Sequence, residues 1–246
     1  MSGCETVKRY EEVEHQQAAR EVIDMDRIQR YADEFCKKSI AESATGVMPA
    51  EDICFMKGLL RWFKCDFFKW TNGPPCDNCT RLGAAAPKKK GMQCIGMAEP
   101  TGYERNVCWA QRVELHKCKA CDTVTRFPRV NNPSVLVTTS RRGRCGEWAN
   151  AFCLICRTIG IDALYTMDWT DHVWVEVWIP SLGRYVHADS CERALDSPLV
   201  YETGWNKKLL YVVSFSRHSV VDTTTRYTRK YDEVLLRRAE LSESFI

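Results

Sequence analysis

A cysteine, a histidine and an aspartate follow one another along the chain in an order that suits nucleophilic catalysis. Cys145 lies in the run GRCGEWAN, where a glycine-containing approach leads into a predicted helix. His172 and Asp189 come later, each on a predicted strand. A thiol needs a base to become a nucleophile, and the base needs a third group that orients it. The three residues therefore predict a cysteine-dependent amide hydrolase.

The position of Cys145 at the start of its helix supports a catalytic role. The apolar pattern predicts a buried helix from Cys145 to Ile159, with Gly160 as its C-terminal cap. The positive end of the helix dipole favours a thiolate at this position. The backbone N–H of Cys145 would supply half of an oxyanion hole. Cys153 and Cys156 in the same helix are interpreted as buried structural cysteines.

The choice of base and orienting group is less direct, because the sequence offers two of each. A lone histidine is more often structural, but Asp189 lies across a predicted hairpin from His172, within reach of its ring. His187 is a rival base, although it alternates with Asp189 and shares its face, which makes orientation by that aspartate difficult. Asp171 is a poor orienting group, since neighbours on a strand point in opposite directions. We therefore predict His172 as the base and Asp189 as its partner.

The elements that position these residues follow from hydrophobic periodicity. Valines alternate with other residues over 173–179, and a turn at 181–184 leads into the next strand. The pattern predicts an α+β fold in which the Cys145 helix packs on an antiparallel sheet. The remaining predicted elements are helices at residues 12–42, 50–64 and 231–243, and strands at residues 161–167, 185–189 and 209–215.

Two Cys-x-x-Cys pairs lie in a stretch from Cys76 to about Pro133 that is rich in Gly, Pro, Cys and Arg. Each pair can hold one side of a tetrahedral ion, and four thiolates form a closed structural zinc site. Such a site would stabilise a small lobe with little hydrophobic core. Four unrelated cysteines and a redox dithiol are the weaker interpretations, and Cys94, Cys108 and His116 are spare ligand candidates. The sequence predicts one structural zinc ion bound by Cys76, Cys79, Cys118 and Cys121.

The composition argues against several classes of function. The 246 residues carry a formal charge of +3, too small to indicate a nucleic-acid-binding protein, and the basic run at 88–90 is interpreted as a solvated loop. No apolar stretch is long enough for a membrane span, and the N-terminal residues lack the apolar core of a signal peptide. A cytoplasmic location with access to the nucleus is expected. In that reducing compartment the 14 cysteines are expected to be ligands, nucleophiles or buried thiols.

Longer phrases around these residues resemble one family. From about residue 50 to the end, the chain is similar to the cytoplasmic peptide:N-glycanases of the transglutaminase-like superfamily. The phrases are DFFKW, FPRVNNP, GRCGEWAN, TDHVW, DSCE and GWNKKL, which begin at residues 66, 127, 143, 170, 189 and 204. The resemblance implies a transglutaminase-like (papain-like) cysteine hydrolase core with a small Cys4 zinc-binding lobe.

The resemblance also implies a reaction, the deglycosylation of misfolded N-glycoproteins in support of ER-associated degradation. Cys145 would attack the glycosylated side-chain amide of asparagine, pass through a thioester and leave aspartate. His172 would help to form the thiolate, protonate the departing glycosylamine and later activate water. Asp189 would hold His172 in the right tautomer and stabilise its cation.

Further residues receive roles from the same resemblance. Trp70 would lie in the cleft and complete the oxyanion hole through its indole N–H. Glu192 and Trp205 would contact the chitobiose core of the glycan, although a core role is an equal alternative for any single tryptophan. Glu176 is a weaker candidate for sugar contact.

The domain organisation is predicted as an N-terminal helical extension (1–45) and a catalytic core (46–246). The zinc-binding lobe, about 71–133, is inserted in the core, and residues 83–93 are an apparent insertion. The terminal helices would bind a ubiquitin-receptor shuttle protein, with core packing as the alternative, and the chain is expected to be a monomer. A non-catalytic scaffold that binds misfolded glycoproteins is the second hypothesis. The phrases around Asp189 and Trp205 disfavour a peptide-cleaving or cross-linking enzyme.

Overall fold

The computed structural model describes residues 3–43, 47–83 and 91–238. The helices in these ranges are α1 (Gly3–Arg9), α2 (Val13–Arg20), α3 (Met25–Glu42), α4 (Glu51–Trp62), α5 (Asp77–Arg81), α6 (Gly102–Asn106), α7 (Pro133–Val135), α8 (Cys145–Thr158) and α9 (Tyr231–Arg238). The strands are β1 (Lys69–Trp70), β2 (Met92–Ala98), β3 (Val113–Cys118), β4 (Val124–Pro128), β5 (Arg142–Gly143), β6 (Ala163–Asp168), β7 (His172–Ile179), β8 (Arg184–Asp189), β9 (Ala194–Leu195), β10 (Val212–Phe215) and β11 (Val220–Asp222).

A six-stranded antiparallel sheet carries the main core. Its strand order is β11-β10-β6-β7-β8-β9, and helix α8 packs on β6 and β7. The β7–β8 register pairs Val175 with Ala188 and Glu176 with His187. Val175 and Ala188 face the core that contains α8, whereas Trp174 belongs to a second apolar cluster. The α+β fold with a helix on an antiparallel sheet is confirmed.

Helix α8 is buried along most of its length because most of its side chains are apolar, and its polar residues Glu147, Asn150 and Thr158 are buried as well. Phe152, Cys153 and Leu154 are fully buried, as the run of apolar residues predicts. The chain enters α8 through Gly143, where an added Cβ would lie 2.3 Å from the Cβ of Glu147. After the helix, Gly160 has a φ of +83°, a conformation that suits glycine at a helix C-terminus.

The N-terminal helices form part of the same core. Helix α2 packs on α8 and α3 packs on α4, and Val7, Tyr10 and Ala19 join the main apolar cluster. The single helix predicted over 12–42 is two helices, because the chain turns before Asp24, whose side chain caps α3 by accepting from the Arg27 N–H at 2.9 Å.

The lobe has its own three-stranded antiparallel sheet of β2, β3 and β4. The parallel pair of β1 and β5 lies where the chain leaves and re-enters the core on either side of this lobe. Residues 84–90, which include the basic run and most of the apparent insertion, lie outside the described residues, as does the predicted closing helix beyond residue 238. Among the helices of the described ranges, none is long and apolar enough to cross a bilayer.

Candidate active site

Cys145, His172 and Asp189 come from three different elements and lie side by side. Cys145 is the first residue of α8, His172 the first of β7 and Asp189 the last of β8. The Nε2 atom of His172 lies 2.8 Å from Oδ2 of Asp189, and the ring is close enough to the Cys145 thiol for the two groups to interact electrostatically. Since Nε2 faces the aspartate, Nδ1 is the ring nitrogen left to exchange a proton with Cys145. This is the arrangement of a nucleophile, its base and an orienting carboxylate.

Opposing effects act on the pKa of His172. Burial lowers it, whereas the hydrogen bonds and charges of Asp189 and Cys145 raise it, and the resulting pKa is about 9. The usual value is about 6.5. The ring is therefore cationic at neutral pH, and a cationic ring beside a thiol favours the thiolate.

Asp189 is fully buried and accepts four hydrogen bonds. Its Oδ2 accepts from His172 and, at 2.7 Å, from the Tyr201 hydroxyl. Its Oδ1 accepts from the backbone N–H groups of Cys191 at 2.8 Å and Glu192 at 3.3 Å. Burial raises the pKa of Asp189, but the hydrogen bond and charge of His172 and the bond from Tyr201 outweigh it and hold the pKa below its usual range. The Asp189 carboxylate therefore stays charged. The sequence did not predict Tyr201 as one of its hydrogen-bond donors.

His187, the rival base, lies behind Asp189. Its Nε2 is 2.7 Å from the Tyr201 hydroxyl, and its Nδ1 is buried without a hydrogen-bond partner in the described structure. Burial lowers the pKa of His187 to about 4. The ring is therefore neutral, and its Nε2 atom is directed at Tyr201 rather than at the nucleophile.

A buried ionic cluster holds the start of α8 against the lobe. Arg144, directly before Cys145, donates to both carboxylate oxygens of Glu114 in β3, at 2.9 and 2.6 Å. Arg129 donates to both oxygens of Glu147, at 2.6 and 2.9 Å, and lies 3.4 Å from Glu114. Burial raises the pKa of Glu114, but the surrounding arginines and a hydrogen bond from His116 outweigh it and lower the pKa. The sequence reasoning missed this cluster, although Arg129 lies within the phrase FPRVNNP.

Exposed tryptophan faces lie beside the candidate triad of Cys145, His172 and Asp189. Trp205 is 42% exposed and its ring centroid is 4.9 Å from that of His172. Trp70 is 40% exposed and is the register partner of Gly143, two residues before Cys145. Its indole N–H donates to Asn72 Oδ1 at 2.9 Å, so this donor must change partner to serve an oxyanion. Glu192, the third candidate for substrate contact, is exposed and follows Asp189 closely in the chain.

Glu176 does not lie in the cleft, and its prediction as a sugar contact is wrong. Its side chain is completely buried, and Oε1 accepts from the Tyr227 hydroxyl at 2.6 Å. Oε2 accepts from Arg226 at 2.5 Å and from Ser214 at 3.2 Å. Alternation placed Glu176 opposite the valines correctly, but a second apolar cluster covers that face of the sheet.

The four cysteines of the two Cys-x-x-Cys pairs converge in the lobe. Their sulfur atoms all lie within 4.8 Å of one another. Backbone N–H groups of Cys79 and Ala120 donate to the sulfurs of Cys76 at 3.5 Å and Cys118 at 3.4 Å, an arrangement that suits thiolates. Of the spare candidates, Cys108 is buried in the main core instead, and Cys94 and His116 group with Glu114. The predicted ligand set, completed by Cys121, fits a structural metal ion.

Two family profiles match the chain. One, described as the transglutaminase-like superfamily, matches residues 96–190, and the other, described as the Rad4 transglutaminase-like domain, matches residues 167–245. Both ranges include the strands that carry His172 and Asp189.

Curated relatives match nearly the whole chain and bear one name, peptide-N(4)-(N-acetyl-beta-glucosaminyl)asparagine amidase. The Gallus gallus protein is 44% identical over 99% of this chain, and the Arabidopsis thaliana protein is 43% identical over 97%. The Yarrowia lipolytica protein is 40% identical over 96%. This chain spans 36% of the length of the chicken protein, 31% of the plant protein and 63% of the yeast protein.

Solved structures resemble the fold without close similarity in sequence. A crystal structure of Rad4-Rad23 bound to a 6-4 photoproduct UV lesion has a TM-score of 0.50 at 10% identity, covering 93% of this chain and 46% of that one. Rad4-Rad23 crosslinked to an undamaged DNA gives 0.50 at 11% identity, covering 92% and 46%. At such identities the likeness concerns the fold alone. The chain therefore contains a transglutaminase-like domain, and its predicted resemblance to the peptide:N-glycanases is confirmed over nearly the whole chain.

Proposed function

We propose that this chain is a deglycosylating amidase that cleaves the glycosylated side-chain amide of asparagine in denatured N-glycoproteins. The observation that carries the proposal is the line of Cys145, His172 and Asp189, with His172 hydrogen-bonded to Asp189, in a chain 40–44% identical to amidases of that name. A thiol beside a cationic imidazole is a nucleophile suited to an unreactive amide. The intact line favours catalysis over a scaffold that only binds glycoproteins.

The reaction proceeds in two displacements on the amide carbon. The Cys145 thiolate adds to the carbonyl, and the backbone N–H at the start of α8 stabilises the oxyanion. The C–N bond then breaks as His172 gives its Nδ1 proton to the departing glycosylamine, which leaves a thioester. His172, now neutral, takes a proton from water, and the hydroxide hydrolyses the thioester to aspartate and the free thiolate.

The substrate's sugar is placed by the groups that flank the triad. The apolar face of a pyranose packs well on an exposed aromatic ring, and Trp205 offers such a ring beside His172. An ion pair at 2.7 Å between Lys207 and the buried Asp168 holds the segment that carries Trp205. Glu192 supplies a carboxylate for the sugar hydroxyls, and Trp70 bounds the cleft near Cys145.

Zinc is the metal that we assign to the lobe. Four cysteine ligands form a closed tetrahedral site, which leaves no position for substrate, so the ion supports structure rather than the reaction. Its role is to fix β3 and β4. Glu114 of β3 pairs with Arg144, and Arg129, directly after β4, pairs with Glu114.

The terminal helices supply the surface for a ubiquitin-receptor shuttle protein. Leu235 and Leu236 on α9 are 43% and 78% exposed, which suits an apolar partner. Binding of such a protein that survives Leu236→Asp would contradict this assignment. A cytoplasmic location and action in ER-associated degradation belong to the same proposal.

A denatured N-glycopeptide tests the amidase. We expect mass spectrometry to detect conversion of the glycosylated asparagine to aspartate together with release of the intact glycan. Cys145→Ala should abolish both, whereas Cys153→Ala, a change at a buried cysteine of the same helix, should retain activity if the protein folds. Absence of conversion between about pH 6 and pH 9, the range below the raised pKa of His172, with the metal bound, would overturn the proposal.

A further inference from the structure

A chain of buried hydrogen bonds continues behind the triad, beyond the residues that the reaction needs. It runs from His187 to the Tyr201 hydroxyl at 2.7 Å, from there to Oδ2 of Asp189 at 2.7 Å, and from Asp189 to His172 at 2.8 Å. Tyr201 and Asp189 are completely buried and His187 is 2% exposed. Neither Tyr201 nor His187 can therefore touch a substrate in the cleft.

The direction of each bond in this chain is fixed. The Tyr201 hydroxyl has one hydrogen, and it donates that hydrogen to Asp189. The contact with His187 must then be donated by the Nε2–H of His187. This leaves Nδ1 of His187 without a proton, and that atom is buried with no donor or acceptor against it in the described structure. A neutral ring of a single tautomer fits this place, since a proton on Nδ1 would have no acceptor.

We propose that Tyr201 and His187 are positioning residues that act through Asp189 to limit the basicity of His172. Two donors, His172 and Tyr201, share the Oδ2 atom of Asp189. A carboxylate that accepts a further hydrogen bond has less charge to offer the imidazolium. The N–H of His187 polarises the Tyr201 hydroxyl and makes it a stronger donor. His172 can then release its proton to a leaving amine, which too strong a base would not do.

Titratable groups on several elements face these hydrogen-bonded residues at neutral pH and above. His172 is faced by Cys145 and Asp189, and Asp189 is faced also by Tyr201 and His187. His187 in turn senses Asp196 and Lys57, and burial lowers its pKa to about 4, so it stays neutral in that range.

Titration of the histidine rings by NMR tests the proposal without any substrate. The nitrogen chemical shifts of wild-type His187 should show that Nε2 is protonated and that Nδ1 is not. In Tyr201→Phe, which conserves the ring, the midpoint of the His172 titration should move upward by roughly half a unit to one unit, the loss of one hydrogen bond to a charged group. His187→Leu should move it in the same direction by less, and His187→Gln, which keeps an N–H near the Nε2 position, should restore it.

The double variant separates action through Tyr201 from a direct effect. Because His187 acts only through the hydroxyl, adding His187→Leu to Tyr201→Phe should not move the His172 midpoint further. An unmoved midpoint in folded Tyr201→Phe, or a full additional shift in the double variant, would overturn the proposal.

The kinetic consequence rests on the proposed function and is measured separately. With the glycopeptide, Tyr201→Phe should lower kcat at neutral pH by ~3- to 10-fold with little change in KM, because the buried hydroxyl acts on proton transfer and not on binding. A change confined to KM would contradict the positioning role. If the wild type does not cleave the glycopeptide but the midpoint of the His172 titration moves as expected, the amidase proposal fails, whereas the positioning role of Tyr201 and His187 is supported.

Discussion

The charge on Asp189 helps to decide the protonation state of His172 at neutral pH. Four donors hold this buried carboxylate. Burial lowers the pKa of His172, but the hydrogen bond and charge of Asp189, together with the effect of Cys145, raise it to about 9. The raised pKa means that protonation of His172 stabilises the folded state. That contribution is complete below about pH 6.5 and is lost as the pH rises through about 9. The proposed amidase activity should fall over the same alkaline range.

Asp189→Asn is the change that tests this dependence, since it keeps the shape of the side chain and removes its charge. The pKa of His172 should fall, so the alkaline limb of the pH profile should move to lower pH. The value of kcat/KM near neutral pH should drop by ~100-fold or more, because general acid–base catalysis is lost. Asp171→Asn is the matched control at an exposed neighbour of His172. Equal effects of the two substitutions, measured with the glycopeptide, would contradict a special role for Asp189.

Sequence reasoning reached some of these residues and not others for a physical reason. Cys145, His172 and Asp189 carry reactive groups at the ends of a recognisable helix and of recognisable strands. Tyr201 has no such context, since its role depends on a segment folding back under the β7–β8 hairpin. Glu176 alternates like a surface residue, and only the packing of a second apolar cluster on that face buries it.

At the scale of elements, the N-terminus of α8 is held by contacts from the lobe. Arg144 donates to Glu114 of β3 and also to the backbone carbonyl of Asn72 at 2.6 Å. Glu147, one turn into the helix, accepts from the backbone N–H of Arg144 at 3.0 Å and from Arg129. Charged groups so far out of water stabilise only as a complete set, because removal of one leaves the others unpaired.

Glu114→Ala should therefore destabilise the protein more than a loss of packing alone. It leaves Arg129 and Arg144 without their shared partner, and the free energy of unfolding should fall by about 3 kcal/mol, measured by chemical denaturation. The reactivity of Cys145 toward alkylation should fall as well, since Arg144 no longer fixes the helix start. Glu99→Ala, which removes an exposed ion pair of 3.8 Å with Arg105, should cost no more than ~0.5 kcal/mol. Similar costs for the two variants would refute the anchoring role.

The helices and strands themselves were largely predictable, but the breaks between them and the contacts that join them were not. Helix α8 and the strands at β7 and β8 follow from strong periodicity, and their bounds differ from the predicted ones by a residue or so. The division of 12–42 into α2 and α3 follows from capping at Asp24, a short polar signal inside an otherwise helical pattern. The ionic cluster joins residues far apart in sequence, and no local pattern reports such pairing.

At the scale of the whole molecule, the structure of the lobe and that of the core are coupled. The lobe has a small sheet and a cysteine cluster, whereas the core has the large sheet and the buried helix. The ionic cluster is what joins the lobe to the start of that helix. Order in the lobe, and therefore the metal that maintains it, should be required for a competent nucleophile, although none of the four cysteine ligands belongs to the triad.

Removal of a metal ligand tests this dependence across the molecule. Cys76→Ser should lower the bound metal measured by mass spectrometry and reduce the melting temperature by on the order of 10 °C, as expected when several kcal/mol are lost from a chain of this size. The alkylation rate of Cys145 should fall with it, because disorder in β3 releases Glu114 from Arg144. Cys94→Ser is the control, an exposed cysteine outside the four-sulfur cluster, and it should leave metal content, melting temperature and reactivity unchanged. Loss of metal from Cys94→Ser but not from Cys76→Ser would move the ion to the group of Cys94, Glu114 and His116. Loss of metal from Cys76→Ser with full Cys145 reactivity would mean that the core holds its nucleophile without the lobe.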